Sequence, residues 1–527
     1  MQLPIEQPTG GGKVACQGVW LPRLSALAIP GSLALVALLA RLSVGPLTVD
    51  DAYITFRYAR NLADGLGLAY NVGERVLGTT TPLFCLLLAG LYRLSRVGLP
   101  HLAVATSAAI DAATTVLLFW LGRRLGLARG WTSLLAGLFS LNALSIGFAA
   151  GGMESSLFTF LVVAAVSAEA AGRPGLAGLA AGLAICTRPE GLIVGVLLVV
   201  RYLLVRRSLP WAMLLGFASP VLPWVVFATV WFGSPIPQSV AAKAVHYRQG
   251  PLLNTLLLIA NVGQPGFNQL AFDLPDAANR IAVGFAVGVG ILFVGLAAVP
   301  SLVRFLRGKI ELLPLVGFAP LLAGAYAVAG ARNVHLFPWY LVPLVPFYLL
   351  AQVGIVQRVS HCLPRPVALC LGLGLACWMV SGLSLGREQG RSPLAPYGMT
   401  LVRERAFITA AEHLAPRLQP DTVVALPEIG AFGYVSGARI LDTAGLVSPQ
   451  ALRFYPLPKG YAGDICVPPE LIREEQPDFV VGLDQFIPKQ LLQAAWFQED
   501  YRLLETLDAP IWGGKQVLVY EHRAHGD

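Results

Sequence analysis

Asp50 and Asp51 stand side by side at the head of TVDDAYITFRYARNLADGLGLAYNVGERVLGTTTP, just beyond a long apolar run. A carboxylate held against a hydroxyl can accept its proton and turn the oxygen into a nucleophile; a second one alongside can orient the first. Written as a short amphipathic helix, the segment places Asp50, Tyr53 and Arg57 near one face and Asp51, Thr55 and Tyr58 near another. The same two aspartates also suit a plain capping role, since negative charge is favoured at a helix N-terminus. Further polar groups interrupt apolar sequence at Glu154 (GGMESSLF), at Arg188 and Glu190 (CTRPEG), at Lys243 and His246 (GSPIPQSVAAKAVHYR), and at Arg332 and His335. Singly, each has an ordinary reading: a first-turn charge, an ion pair across a kink, a solvated face, an interfacial anchor. Gathered on one side of a membrane, they would line a polar cavity. Asp111, in mid-helix within TSAAIDAATTVLL, must be paired, protonated or turned to a cavity, because an unpaired charge there costs at least about 2.5 kcal/mol.

The elements that must position these groups are membrane helices. Of 527 residues, 55% are apolar and only 13% charged, with a mean hydropathy of +0.65; a soluble domain carries about 25% charged residues. That balance excludes a secreted disulfide scaffold, a disordered chain and a nucleic-acid-binding domain. The net charge of +8 hides two unlike parts: residues 1–385 hold 25 Lys+Arg against 12 Asp+Glu, and residues 386–527 hold 13 against 18. The basic excess therefore belongs to the short turns of a membrane part, not to a nucleic-acid footprint. Cys85, Cys186, Cys370 and Cys377 lie in apolar stretches and the tail holds only Cys466, so neither a disulfide framework nor a CxxC metal motif is supported.

Apolar runs long enough to cross a bilayer occur at 24–45, 101–121, 131–150, 154–171, 210–232, 281–303, 311–330, 336–357 and 366–385. The stretch 175–205, broken by Arg188-Pro189-Glu190, reads as two helices with a polar joint, which makes about eleven crossings. Pro82–Tyr92 is too short to span and reads as a re-entrant or juxtamembrane helix. With it so placed, Arg123/Arg124/Arg129, Arg201/Arg206/Arg207, Arg304/Arg307/Lys309 and Arg358/Arg365 all fall on the cytoplasmic side. Every polar insertion then falls on the opposite, extracytoplasmic side. The expected organisation is a cytoplasmic N-terminus (1–23), a transmembrane domain (24–385) with large extracytoplasmic loops at 46–100 and 233–280, and a soluble extracytoplasmic α/β domain (386–527). Within the tail, 401–416 and 468–476 are helix-like, 422–428 and 479–482 strand-like, and the end around 516–521 β-rich. Asp442 sits in a glycine-rich segment that reads as turns. The GLG at Gly65–Gly67 lacks a βαβ context and no P-loop occurs, so a nucleotide substrate is unsupported.

DDAYITFRYARNLADGLGLAYNVGERVLGTTTPL resembles the first extracytoplasmic loop of the GT-C glycosyltransferases, multi-span enzymes that use polyprenyl-phosphate-linked sugars. The nearest likeness is to the bacterial branch that contains the terminal arabinofuranosyltransferases. GMESSLF is similar to that branch's Gly-x-Glu-Thr helix start, with Ser155 in place of Thr. CTRPEG is similar to its Arg-Pro-Glu/Asp-Gly joint, FGSPIPQSVAAKA to its Gly-x-Pro-x-Pro…Lys loop, and IGAFGYVSGARILDTAGLVSP to a stretch of its tail. The resemblance implies a GT-C-like polytopic helical fold in the plasma membrane and an extracytoplasmic active site. It implies sugar transfer from a polyprenyl-phosphate donor to a cell-envelope glycan, lipid or protein. It makes a first-loop aspartate the base, Asp50 by preference with Asp51 orienting it or binding substrate, or the two reversed. Arg57, Arg188, Lys243 and Arg332 become candidates to hold the phosphate; Glu154 and Glu190 would bind sugar hydroxyls or orient those arginines. Tyr53, His246 and His335 complete the expected substrate-binding set. A divalent ion at Asp50, Asp51 and Glu154 is allowed but not required. A transporter or flippase of a lipid-linked precursor would also account for Asp111 and the broken helices; a non-catalytic envelope receptor would tolerate amides at both aspartates.

Overall fold

The computed structural model describes residues 24–246, 313–331, 337–361, 401–457, 466–511 and 514–525, with a few positions between 364 and 373. Its first part is helical: α1 (Leu24–Leu42), α2 (Asp50–Ala63), α3 (Pro82–Ser95), α4 (Leu99–Arg124), α5 (Arg129–Ser140), α6 (Ala143–Ala150), α7 (Ser155–Ala170), α8 (Pro174–Thr187), α9 (Gly191–Arg206), α10 (Trp211–Phe232), α11 (Gln238–His246), α12 (Leu313–Ala331) and α13 (Val345–Ser360). Among the described residues, four helical stretches are long and apolar enough to cross a membrane: Leu99–Arg124, Arg129–Ala150, Trp211–Phe232 and Trp339–Ser360. Shorter apolar helices accompany them, α3 among them; its 14 residues span about 21 Å, too little for a ~30 Å hydrocarbon core. The expected spans 281–303 and 366–385 lie wholly or mostly outside the described residues.

The polar joint at Arg188–Glu190 separates α8 from α9 as the sequence predicts. The run 131–150, by contrast, is divided: Asn142 caps α6, its side chain accepting from the Ser145 N–H at 3.0 Å. The run 336–357 begins as a 3₁₀ turn, Pro338–Leu344, because Pro338, Pro343 and Pro346 remove the amides that a first α-turn would use. Small residues let α8 and α10 touch along their backbones. A Cβ on Gly178 would lie 2.0 Å from the Met213 carbonyl oxygen, and one on Gly182 2.4 Å from that of Phe217.

Asp111 is paired. Arg41 of α1 donates from Nε to its carboxylate at 2.6 Å, and Ser145 Oγ donates at 2.8 Å. The remaining Arg41 donors reach the carbonyls of Ala37, Ser140 and Phe139. Both side chains are fully buried, so this pair ties α1, α4 and the α5–α6 joint together inside the bundle.

The second part is a mixed α/β domain: α14 (Val402–Leu414), β1 (Val423–Leu426), α15 (Gly430–Ser436), β2 (Arg439–Asp442), α16 (Pro469–Glu475), β3 (Phe479–Leu483), α17 (Lys489–Leu492), α18 (Ala495–Asp500), β4 (Tyr501–Ile511) and β5 (Gly514–His522). The sheet runs β2-β1-β3-β5-β4. β1 is parallel to both its neighbours, whereas β5 is antiparallel to β3 and β4. The β1–α15–β2 unit brings the carboxyl ends of two parallel strands, with Glu428 and Asp442, against the first loop of the helical part. The sequence pattern marks α14, β1, α16, β3 and β5; it misses α15, β2 and β4, α15 because seven residues rich in glycine leave too little periodicity to read.

Candidate active site

The first loop lies between the bundle and the α/β domain, and α2 is its centre. One side of α2 rests on the turn before α7: a Cβ on Gly152 (φ +74°) would meet Phe56 at 2.9 Å and Ala52 at 3.5 Å, so this left-handed, tightly covered position calls for glycine. The opposite side rests on α15. The Asp50 carboxylate accepts the Gly430 N–H at 3.0 Å and the Ala431 N–H at 2.8 Å. Arg57 donates to the carbonyls of Gly433 (2.8 Å), Ala438 (2.6 Å) and Tyr70 (2.8 Å), and Arg60 to that of Tyr434 (2.9 Å). α2 and α15 therefore run side by side in the same direction, with a carboxylate at the amide end of α15 and two guanidinium groups at its carbonyl end, the arrangement its dipole favours. Tyr53 packs on Tyr434, ring centroids 5.4 Å apart. Arg57, expected to hold phosphate, is thus engaged with backbone carbonyls in a buried position.

Asp51 is different. It lies about 100° around α2 from Asp50, is half-buried, and its carboxylate makes no hydrogen bond or ion pair among the described residues. On its face of the helix stands a cluster of hydroxyls, Thr55, Thr79 and Thr81, within 3.2–3.5 Å of one another. Next to them, the Gln238 N–H donates to the Leu77 carbonyl at 2.8 Å and joins the loop to α11, which carries Lys243.

Behind Asp50 lies an acidic network that the sequence reading did not include. Arg403 pairs with Glu404 at 2.5 Å and Glu428 at 2.8 Å, and Glu404 also accepts the Asp50 backbone N–H. Two carboxylates thus pair with one guanidinium, whose field also reaches Asp50. Burial raises Asp50 to about 6, offset in part by Arg403; burial likewise raises Glu428 to about 8, with Arg403 opposing and Asp50 reinforcing the rise. Burial works against the Arg403 cation, yet Glu428, Glu404 and Asp50 together hold its pKa above the ordinary arginine value. Asp442 is raised by burial to about 7, while its oxygens cap the following loop at the N–H groups of Ala444 and Val447.

A carboxylate raised on folding binds more protons folded than unfolded. The stability it allows is therefore complete below its unfolded pKa, near 4.5 for Glu428, and declines as pH climbs through about 8. Glu428→Gln should leave the melting temperature of the purified protein unchanged at pH 5 and raise it by several degrees at pH 9, flattening the alkaline side of the stability profile. A parallel drop for mutant and wild type between pH 6 and 9 would show that Glu428 is not the group responsible.

The second half of the site belongs to the bundle. Arg188 donates to Glu154 at 2.6 Å and to Glu190 at 2.9 Å, and its guanidinium lies 4.4 Å from the centre of the Tyr340 ring. The Tyr326 hydroxyl donates to Glu190 at 3.0 Å, and Lys243 Nζ reaches the Tyr340 hydroxyl at 3.4 Å. Arg188 Nε and Glu190 Oε2 are buried and have no protein partner. Leaving such atoms unsatisfied costs about 1–3 kcal/mol each, so they are places where a bound hydroxyl would complete the bonding. The structure brings Glu154, Arg188 and Glu190 together, with Lys243 joined to them through Tyr340. Tyr326 and Tyr340 were not foreseen; the signal available was a tyrosine tip set in an otherwise apolar helix, which must find a partner when buried. Arg332 and His335, and the side chain of His246, lie outside the described residues. Among the described residues no three His, Cys, Asp or Glu are grouped to hold a metal ion: Asp50 faces Gly430 and Ala431, and Glu154 faces Arg188.

Comparison with known proteins extends this picture. Residues 399–520 match a family model described as a domain of unknown function (DUF8728). No curated protein sequence matches the chain. Among solved structures, ArnT from Cupriavidus metallidurans in the apo state aligns with 94% of this chain and 97% of its own at 16% identity, TM-score 0.55. The same protein bound to undecaprenyl phosphate gives a TM-score of 0.52, with 94% of this chain and 98% of that one covered at 16% identity. The Archaeoglobus fulgidus oligosaccharyltransferase tethered with an acceptor peptide aligns over 94% of this chain and 74% of its own at 12% identity, TM-score 0.54. The chain has the fold of the GT-C glycosyltransferases, a multi-pass helical membrane part joined to a C-terminal sheet domain.

Proposed function

We propose that this protein is a membrane glycosyltransferase that moves a sugar from a polyprenyl-phosphate carrier to a hydroxyl of a cell-envelope glycan, lipid or protein, on the extracytoplasmic face of the plasma membrane. The observation that carries the reading is the pre-formed Glu154–Arg188–Glu190 cluster, which holds buried, unpartnered donor and acceptor atoms; Asp51, whose carboxylate makes no bond among the described residues, supplies the base in this reading. The fold shared with a protein that binds undecaprenyl phosphate supports the donor class.

In this reading Asp51 accepts the proton of the acceptor hydroxyl as its oxygen forms a bond to the sugar's anomeric carbon. The bond from that carbon to the phosphate oxygen breaks, and polyprenyl phosphate leaves with the electron pair. A phosphate is a good leaving group, so acid assistance is needed little; positive charge must instead offset the growing charge on phosphate. In this reading Lys243 takes that part. Arg188 is neutralised by two carboxylates, which makes it a rigid reader of sugar hydroxyls rather than the phosphate anchor. The sugar could be a pentose of the arabinofuranose or aminoarabinose kind or a hexose; the acid-rich cluster around Arg188 suits any donor with several hydroxyls to read.

The test uses purified protein in lipid, a panel of radiolabelled undecaprenyl-phosphate sugars and envelope extract as acceptor. Label should pass from one donor to an acceptor with wild-type protein. Full in-cell complementation of a deletion strain by both Asp50→Asn and Asp51→Asn would rule the reading out.

A further inference from the structure

The domain of unknown function matched by residues 399–520 docks on the one helix that carries both aspartates. We propose that this domain is a clamp that sets the position of α2 over the membrane site, and that Asp50 is its positioning residue rather than the base. This rests on the reading of Asp51 as the base.

The contact is tight and directional. A Cβ on Gly430 would lie 1.8 Å from the Asp50 carbonyl oxygen and 2.7 Å from its Cγ; one on Gly433 would lie 2.0 Å from the Tyr70 hydroxyl and 2.9 Å from an Arg57 nitrogen. The loop after α2 is held as well: the Tyr70 hydroxyl donates to the Ile429 carbonyl at 2.6 Å, and Asn71 exchanges hydrogen bonds with the Ile440 N–H (3.0 Å) and C=O (2.9 Å), pairing with β2 at the edge of the sheet. Without the domain, Asp50 would lose the Gly430 and Ala431 N–H groups and Arg57 the Gly433 and Ala438 carbonyls, and α2 would be held by the Gly152 turn and by hydrogen bonds to its own loop and α3, such as Asn61 to Ala69 and Arg93 to Ala63. A base must sit within about 0.5 Å of its productive position, and a displacement of about 1 Å can lower a rate by about 100-fold. The domain on one side and the Gly152 turn on the other supply that precision.

Gly430→Ala in the full-length protein in lipid tests the clamp. It pushes α2 and α15 apart without touching a group assigned to the chemistry. Amide hydrogen exchange over residues 50–61 should quicken by about tenfold or more while the β4–β5 hairpin, 501–522, keeps its protection. With the radiolabelled undecaprenyl-phosphate sugar returned by the donor panel, kcat should fall about 100-fold and the donor KM stay within about threefold. Unchanged exchange over 50–61, or faster exchange with kcat intact, would overturn the proposal. So would an Asp50→Asn protein that loses kcat with α2 protection undisturbed, because Asp50 would then be the base itself. Should Gly430→Ala unfold the hairpin, Arg57→Lys, which withdraws carbonyl contacts at the other end of α15, is judged by the same two readings. If wild type transfers no sugar from any donor, the reaction assignment fails, while the exchange result still decides the clamp.

Discussion

Replacing Asp51 by Asn should lower sugar transfer by about 100-fold or more while leaving the protein folded. The amide is nearly the same size but cannot take up the acceptor's proton, and loss of a positioned base typically removes a factor of about 10² to 10⁴. The folding side of the prediction comes from what Asp51 does not do: its carboxylate caps nothing and pairs with nothing among the described residues, so the melting temperature should stay within about 1 °C. Asp50→Asn should behave otherwise. One of two oxygens that accept the Gly430 and Ala431 N–H groups becomes a donor facing a donor, so activity and the protection of α2 should fall together. Measuring kcat, donor KM and thermal stability for both variants separates the two roles. Asp51→Asn with undiminished kcat would remove the base from this assignment.

That division of labour is only half legible in the sequence. The helical wheel groups Asp50, Tyr53 and Arg57 on one face, and they do share it; what the wheel cannot say is that the face meets a helix 380 residues further along the chain. Arg57 therefore looks like a phosphate ligand when it is a cap on the carbonyl end of α15. The adjacent carboxylates look equivalent because they are equivalent locally, both in the first turn; only the approach of Gly430 distinguishes them. By contrast, the joint at Arg188–Glu190 and the helix start at Glu154 are readable as local breaks in apolar runs, and their meeting follows once α7, α8 and α9 pack. Glu404 and Arg403 escape notice because they sit in an ordinary polar helix, α14, where charge is unremarkable until a second domain buries it. Apolar periodicity reports which face is covered, not by what.

The pair Arg41–Asp111 gives the largest expected effect on stability. Asp111→Leu should destabilise the protein by about 3–5 kcal/mol, because it leaves a permanently charged guanidinium inside the bundle with only carbonyls and one hydroxyl for company. Arg41→Leu should cost less. The carboxyl it strands can discharge by taking up a proton, whereas arginine cannot give one up. The double variant should be more stable than either single one, since both charges are then gone and two leucines fill apolar space. Denaturant unfolding of the four proteins in the same lipid measures the cycle. The result also bears on function. A buried acid that carried protons or ions for a transporter would lose transport on substitution with the fold intact, and its partner would not need to be removed to restore stability. A structural pair behaves the other way: each single change harms folding, and the compensating change repairs it while sugar transfer returns with the fold. Recovery of transfer in the double variant would place Asp111 outside the chemistry and leave the carboxylates of the first loop and of the Glu154–Arg188–Glu190 cluster as those on which the reaction can depend.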